Sequence, residues 1–294
     1  MLCTTAQVAE LVRAVGAEQV AVLTLIKGDL DPHSYQLVKG DDEKFRCAEL
    51  IFASGLGLEH GPSLQQFLND PKRTVVKVGD ELFTQGELDP IIIDGQLDPH
   101  IWLDISIWSR AIQPITAALV QLCPQHQHLF VERAAILRDR LAALDDELCR
   151  QCQLIPAEQR YLVTSHDAFN YFVRHYLAQA EEQGDSAWSQ RLCAPEGLAP
   201  EGQLSLLDIQ RVVKFCAEHQ IQVLFAETNI SPVALRKVVQ SAQGKGVNLR
   251  LAESQLYGDA MPHSSTAAPE GYEKMMRSNV ALIVKELCIN ERQE

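Results

Sequence analysis

The chain has 294 residues, 46% of them hydrophobic and 22% charged, a globular composition with length for one large domain or two of ordinary size. Its 26 Lys and Arg stand against 39 Asp and Glu, for a formal net charge of −13. Such a surface repels phosphate backbones and attracts cations, which argues against nucleic acid as a partner, and no apolar run approaches the length of a membrane span.

The first residues, MLCTTAQVAELVRAVG, begin almost inside a short strand and pass at once into a helical pattern at Val8, Leu11, Val12 and Val15. The lack of a polar lead-in suggests a chain from which a signal peptide has been removed. A cytosolic protein that starts here is the alternative.

Strands are expected at 20–26, 48–54, 74–78, 160–165, 221–227 and 247–253, where continuous apolar runs match strands covered on both faces of a parallel sheet. Helical patterns lie between them, for instance at 205–218 and 232–243. The second opens with Ser231 as a capping residue and Pro232 at the first helical position.

Between the two groups of strands, apolar residues at Phe130, Ala134, Leu137, Leu141, Leu144 and Leu148 make one narrow stripe on a long helix. Pro124 fits its start and Pro156 its end, and no Gly or Pro interrupts it to supply a kink. The class is therefore α/β: an N-terminal lobe over 1–123, a rigid linking helix over 124–154, and a C-terminal lobe over 155–294. A Pro- and Gly-rich surface loop is expected at 194–203.

Eight cysteines include the C-x-x-C of Cys149 and Cys152, which lies in a helical stretch with no second pair at zinc-site spacing. Buried apolar roles suit most of these thiols; the even count is compatible with disulfides but names no pairing.

The chemistry gathers at four places. The tetrapeptide LDPH occurs twice, ending at His33 and His100, each followed two residues later by an aromatic, Tyr35 or Trp102. Proline fixes its own φ and biases the preceding Asp to an extended form, so each His is presented from a stiff loop. His166 lies at a strand-to-helix junction, where Ser165 or Asp167 is placed to cap the helix. Asp259 follows the strand 247–253 in a Gly-containing loop. Three imidazoles and a carboxylate, each just beyond a strand end and two from each lobe, can converge in the interlobe cleft as a ligand set for a first-row divalent metal.

The segments DPHSYQLVKGD, GLGLEH, DPHIWLD, TSHDAFNYF, LFAETNISP and LYGDAM together resemble the zinc- and manganese-type solute-binding proteins of ABC transporters, the bacterial solute-binding protein 9 family. The resemblance covers essentially the whole chain. It implies two α/β lobes joined by one long helix, with metal ligands at His33, His100, His166 and Asp259.

It also implies an extracytoplasmic, periplasmic protein, with or without a lipid anchor. The protein would be a monomer that delivers metal to an ABC permease in the membrane. Two departures leave the metal open: 79–97 lacks the His-rich loop common in zinc-specific members, and His166 stands where manganese-specific members commonly carry Glu. Three nitrogens favour zinc over manganese, and iron remains compatible.

Glu227, at a strand end, is a candidate to orient a metal-bound imidazole. His126 and His128 read as a solvated helix start, His60 as structural, and His175, His219 and His263 have no partner spacing. No catalytic residues are assigned. A metal-dependent hydrolase is the first alternative, disfavoured because Asp259 fills the position that catalytic zinc leaves to water. A surface adhesin with a structural metal is the second. Metal release is expected through rearrangement of the loop 255–268.

Overall fold

A computed structural model of the chain describes residues 1–184, 186–199, 204–262 and 271–288. His263, the distal part of the 255–268 loop and residues 200–203 of the Pro/Gly-rich loop lie outside the described residues. The chain divides into two compact units, Met1–Asp145 with Ala260–Lys274 and Asp146–Asp259 with Met275–Glu294.

The first unit is built on four parallel strands, β1 (Leu2–Cys3), β2 (Leu23–Thr24), β3 (Ile51–Ala53) and β4 (Val75–Lys77), in the order β2-β1-β3-β4. Leu2 lies opposite both Leu23 and Ile51, and Cys3 opposite both Thr24 and Phe52. Leu2 on the inner strand β1 therefore has apolar partners on either side. Leu2, Ile51 and Ala53 share a core with Leu25, Ile26, Tyr35, Phe45 and Leu64. The helix Ala6–Gly16 starts where the Thr5 hydroxyl accepts a bond from the Val8 amide, and it buries Val8, Leu11, Val12 and Val15.

An antiparallel hairpin, β5 (Ile92–Ile93) and β6 (Gln96–Leu97), turns at Asp94 and Gly95, both with positive φ. Tyr272 is tied to this unit by two bonds. Its amide donates to the Glu10 carboxylate at 2.9 Å and its hydroxyl to the Trp102 carbonyl at 2.7 Å. Burial pushes the Glu10 carboxyl up to about 7, although the Tyr272 amide opposes it.

The second unit repeats the plan. The strands β7 (Leu162–Val163) and β8 (Leu192–Cys193) pair in parallel, as do β9 (Val223–Leu224) and β10 (Arg250–Leu251). Parallel bridges from Thr164 to Phe225 and from Glu227 to Leu256 extend this ladder. The order becomes β8-β7-β9-β10, the same second-first-third-fourth arrangement as in the first unit. In such sheets the connections leave in opposite directions from the first and third strands. The crevice beyond their carboxyl ends is where open α/β sheets hold ligands.

The paired strands are shorter than the apolar runs that announced them. Beyond them pairing continues as single bonds: the Ile26 amide donates to the Thr4 carbonyl at 2.9 Å, and the Ala226 carbonyl accepts from the Leu256 amide at 2.8 Å. β8 and the hairpin β5–β6 were not among the expected strands. The helices Leu206–Glu218 and Val233–Gln243 match the expected spans. Pro232, however, takes the capping position without a side-chain cap bond, one residue earlier in the helix frame than expected. The helical turn after His166 has that residue at its N-cap position, without a side-chain cap bond. The Ser165 hydroxyl accepts from the Glu227 amide at 3.3 Å.

The long helix runs 26 residues, Gln127–Cys152, after a 3₁₀ turn at Pro124–His126. All six stripe residues are buried, while Ile136, off the stripe, is 60% exposed. Four cysteines (Cys3, Cys152, Cys193, Cys216) are buried, and no disulfide is present among the described residues. Leu141→Ala should therefore lower stability by about 2–5 kcal/mol through the lost contacts and residual cavity. Ile136→Ala should stay within about 0.5 kcal/mol. Urea unfolding of the two variants checks the stripe.

Candidate metal centre

In the first unit, His33 and His100 come from loops that follow β2 and β6. The same tetrapeptide serves them differently. Asp31 accepts from the His33 amide at 2.9 Å and from the Ser34 hydroxyl at 2.6 Å, closing a turn around the backbone. Two residues on, the buried Tyr35 hydroxyl donates to Asp41 at 2.8 Å, and the Val38 amide donates to the same oxygen at 2.9 Å. Burial would raise the Asp41 carboxyl. Lys44, at 2.7 Å, and these two donors nonetheless hold it below the usual carboxylate range. The loop is thus tied on both sides of His33.

Asp98 does more. One of its oxygens accepts from both the His100 amide at 2.9 Å and the His100 Nδ1 at 2.7 Å. With Nδ1–H committed to a carboxylate, the lone pair of His100 is at Nε2. That atom lies 3.2 Å from the Nε2 of His33. Both side chains are buried, and the edge of Trp102 packs on the His100 ring at 5.3 Å between centroids.

His60, read from sequence as structural, has its ring 5.7 Å from that of His33. Its neighbour Glu59 joins the ends of β1 and β3, accepting from the Thr4 hydroxyl at 2.5 Å and the Ser54 amide at 2.7 Å. Burial raises the Glu59 carboxyl, with these donors opposing.

In the second unit, His166 follows β7 and Glu227 follows β9, the two strands that flank the switch of direction. Glu227 Oε1 accepts from the Ser165 amide at 3.0 Å and the His166 amide at 3.1 Å; its Oε2 stands 2.9 Å from His166 Nδ1. On the other side of the ring, Nε2 faces Asp259 Oδ2 at 3.4 Å. The Asn229 side-chain amide donates to that same Asp259 oxygen at 3.1 Å.

Gly258 is required by space. A Cβ there would sit 2.2 Å from Glu227 Oε2 and 3.6 Å from His166 Cε1. Burial would lower the basicity of His166, but the facing charges of Glu227 and Asp259 outweigh it and hold the imidazolium well above the ordinary histidine value.

Two nitrogen or oxygen donors at about 2.0–2.1 Å from a tetrahedral zinc-class ion stand about 3.3–3.4 Å apart. Within each unit, one pair of donor atoms has that spacing: 3.2 Å for His33 and His100, and 3.4 Å for His166 and Asp259. Each pair includes an imidazole whose far nitrogen already meets a carboxylate. Sequence alone assigned no role to Asp98. Its signal was its place two residues before a ligand-type His, but Asp31 shares that place without bonding the ring.

The fold and these histidines define a binding protein of the two-lobed, metal-handling class. The family model described as "Zinc-uptake complex component A periplasmic" matches residues 1–286, and the chain belongs to that family, the metal-binding solute-binding proteins of ABC transporters.

The metal-binding protein YtgA of Chlamydia trachomatis is 38% identical over 288 residues, covering 98% of this chain and 85% of YtgA. The manganese-binding lipoprotein MntA of Bacillus subtilis is 32% identical over 286 residues, covering 97% of this chain and 88% of MntA. The crystal structure of Fe(III)-bound YtgA from Chlamydia trachomatis superposes with a TM-score of 0.91 at 37% identity, over 98% of this chain and 97% of that one.

The charge balance around His166 is testable without metal. Glu227→Gln removes the nearer carboxylate charge, so the imidazolium loses a stabilising partner and its pKa should fall toward the ordinary value. NMR titration of the imidazole protons in metal-free protein reads the shift. An unchanged midpoint would show that Glu227 does not hold the proton on His166.

Proposed function

We propose that His33 and His100 from the first unit and His166 and Asp259 from the second jointly hold one divalent transition metal ion as cargo. The protein, working as a monomer outside the cytoplasm, hands that ion to an ABC permease. The observation that carries this reading is the pair spacing within each unit, together with the complementarity of the two pairs. Three imidazoles and a carboxylate complete a four-coordinate set of buried donors.

Asp98 and Glu227 act as positioning residues, holding His100 and His166 with Nε2 toward the ion. Four protein ligands leave no open position for a catalytic water, so no enzymatic role is proposed. The N-terminal lobe 1–123 and the C-terminal lobe 155–294 supply two ligands each, with 124–154 as the linking helix.

Zinc is the proposed ion, because three nitrogen donors suit zinc better than manganese. The Fe(III)-loaded structure of the Chlamydia relative favours iron as the second reading. Elemental analysis after competition among zinc, manganese and iron separates them. A dominant manganese signal would oppose the donor argument.

His100→Ala should strip a buried nitrogen donor and weaken metal binding by orders of magnitude, whereas His126→Ala at the helix start should leave affinity unchanged. Equal losses in equilibrium titrations would overturn the ligand assignment.

Binding should also depend steeply on pH. A ligating imidazole must be neutral, and His166 in the metal-free state holds its proton above the ordinary pKa of about 6.5. Metal binding therefore expels a proton even near neutral pH, and affinity falls as pH falls. The decline should begin above pH 6.5 and steepen as further imidazoles protonate. A flat affinity from about pH 8 to 5.5 would exclude a three-histidine site.

A further inference from the structure

The C-x-x-C of Cys149 and Cys152 is split by the helix that carries it. Cys152 is fully buried, and burial pushes its thiol up to about 12. Cys149, half-buried one turn earlier, has its Sγ 3.7 Å from the Nε2 of His175. His175 comes from Val173–Leu177, a stretch wound as a π-helix, a distortion that recurs at functional sites. Its ring is braced edge-on against Tyr176 at 4.5 Å between centroids, and the neighbouring Arg174 guanidinium lies over the Tyr171 ring at 5.1 Å.

Asp145 precedes Cys149 by four residues on the same helix, the spacing that puts two side chains on one face. Asp145, Cys149 and His175 are each half-buried and offer one carboxylate, one thiol and one imidazole.

We infer that Cys149, His175 and Asp145 form an accessory site for a thiophilic divalent cation of the zinc class, separate from the cargo site and independent of its assignment. The distance supports a shared ion. Sulfur at about 2.3 Å and nitrogen at about 2.1 Å from a tetrahedral zinc stand about 3.6 Å apart, close to the spacing observed. On binding, the Cys149 thiol gives its proton to solvent and its sulfur lone pair to the metal; His175 contributes the Nε2 lone pair, Asp145 a carboxylate oxygen, and water the fourth position. Cys149 lies in the last turn of its helix, where the backbone dipole favours positive charge. Because the cargo set has no sulfur, the accessory site discriminates by softness: it takes zinc-like ions and rejects manganese.

Cobalt(II) is the probe, since a sulfur-to-cobalt charge-transfer band in the near ultraviolet reports thiolate ligation and the cargo donors cannot produce it. Titration of the full chain should give this band only after the first equivalent. Cys149→Ser should abolish the band and the second equivalent while leaving the first. His175→Gln, on a different element, should weaken the band, and His166→Ala should disturb the first equivalent but keep the band. Absence of the band at any cobalt concentration would overturn the site. Its survival in Cys149→Ser would assign it to another thiol such as the exposed Cys47, and indifference to His175→Gln would reduce the Cys149–His175 contact to a hydrogen bond.

Discussion

A carboxylate bonded to the Nδ1 of a buried imidazole is the interaction on which the centre depends. A free imidazole has two tautomers and a rotating ring, and either freedom spoils a ligand. Asp98 at 2.7 Å from His100 and Glu227 at 2.9 Å from His166 remove both, because an acceptor on Nδ1 places the proton there and the lone pair on Nε2. Burying a carboxylate is costly unless its oxygens are satisfied. Glu227 meets that condition with two backbone amides on one oxygen, and Asp98 with the His100 amide. The orienting groups are therefore held by the backbone of the very loops they orient.

The sheet explains why those loops are available. In both units the second-first-third-fourth strand order leaves a crevice beyond the first and third strands. In the second unit these are β7 and β9, which end next to His166 and Glu227. A Cβ at residue 258 would enter the same crevice at 2.2 Å from Glu227, so the approach of the Asp259 loop requires glycine. Topology, charge and clearance act on one point. The carboxylates of Glu227 and Asp259 raise the proton affinity of His166.

Much of this was legible in the sequence, for physical reasons that also set its limits. The stripe from Phe130 to Leu148 is a strong signal because a helix buries one face over many turns, and each of those residues is buried. Strand runs such as 221–227 located their elements and nearly their paired extent, from the Gln222 carbonyl, which accepts from the Arg250 amide, to the bridge at Glu227. The short β8 carried too few residues for any periodicity to show. Placing His33, His100, His166 and Asp259 beyond strand ends needed only the alternation of elements. That His33 meets His100 and His166 meets Asp259 is a property of the folded chain, because the contacts join loops separated by 67 and 93 positions.

The repeated tetrapeptide marks where local sequence stops determining function. In both copies the aspartate accepts from the amide of the histidine two residues on, so LDPH encodes a backbone turn. Only Asp98 also bonds the ring; Asp31 accepts from the hydroxyl of Ser34. Two identical motifs thus become a loop anchor in one place and a tautomer lock in the other, and the tetrapeptide alone does not decide which.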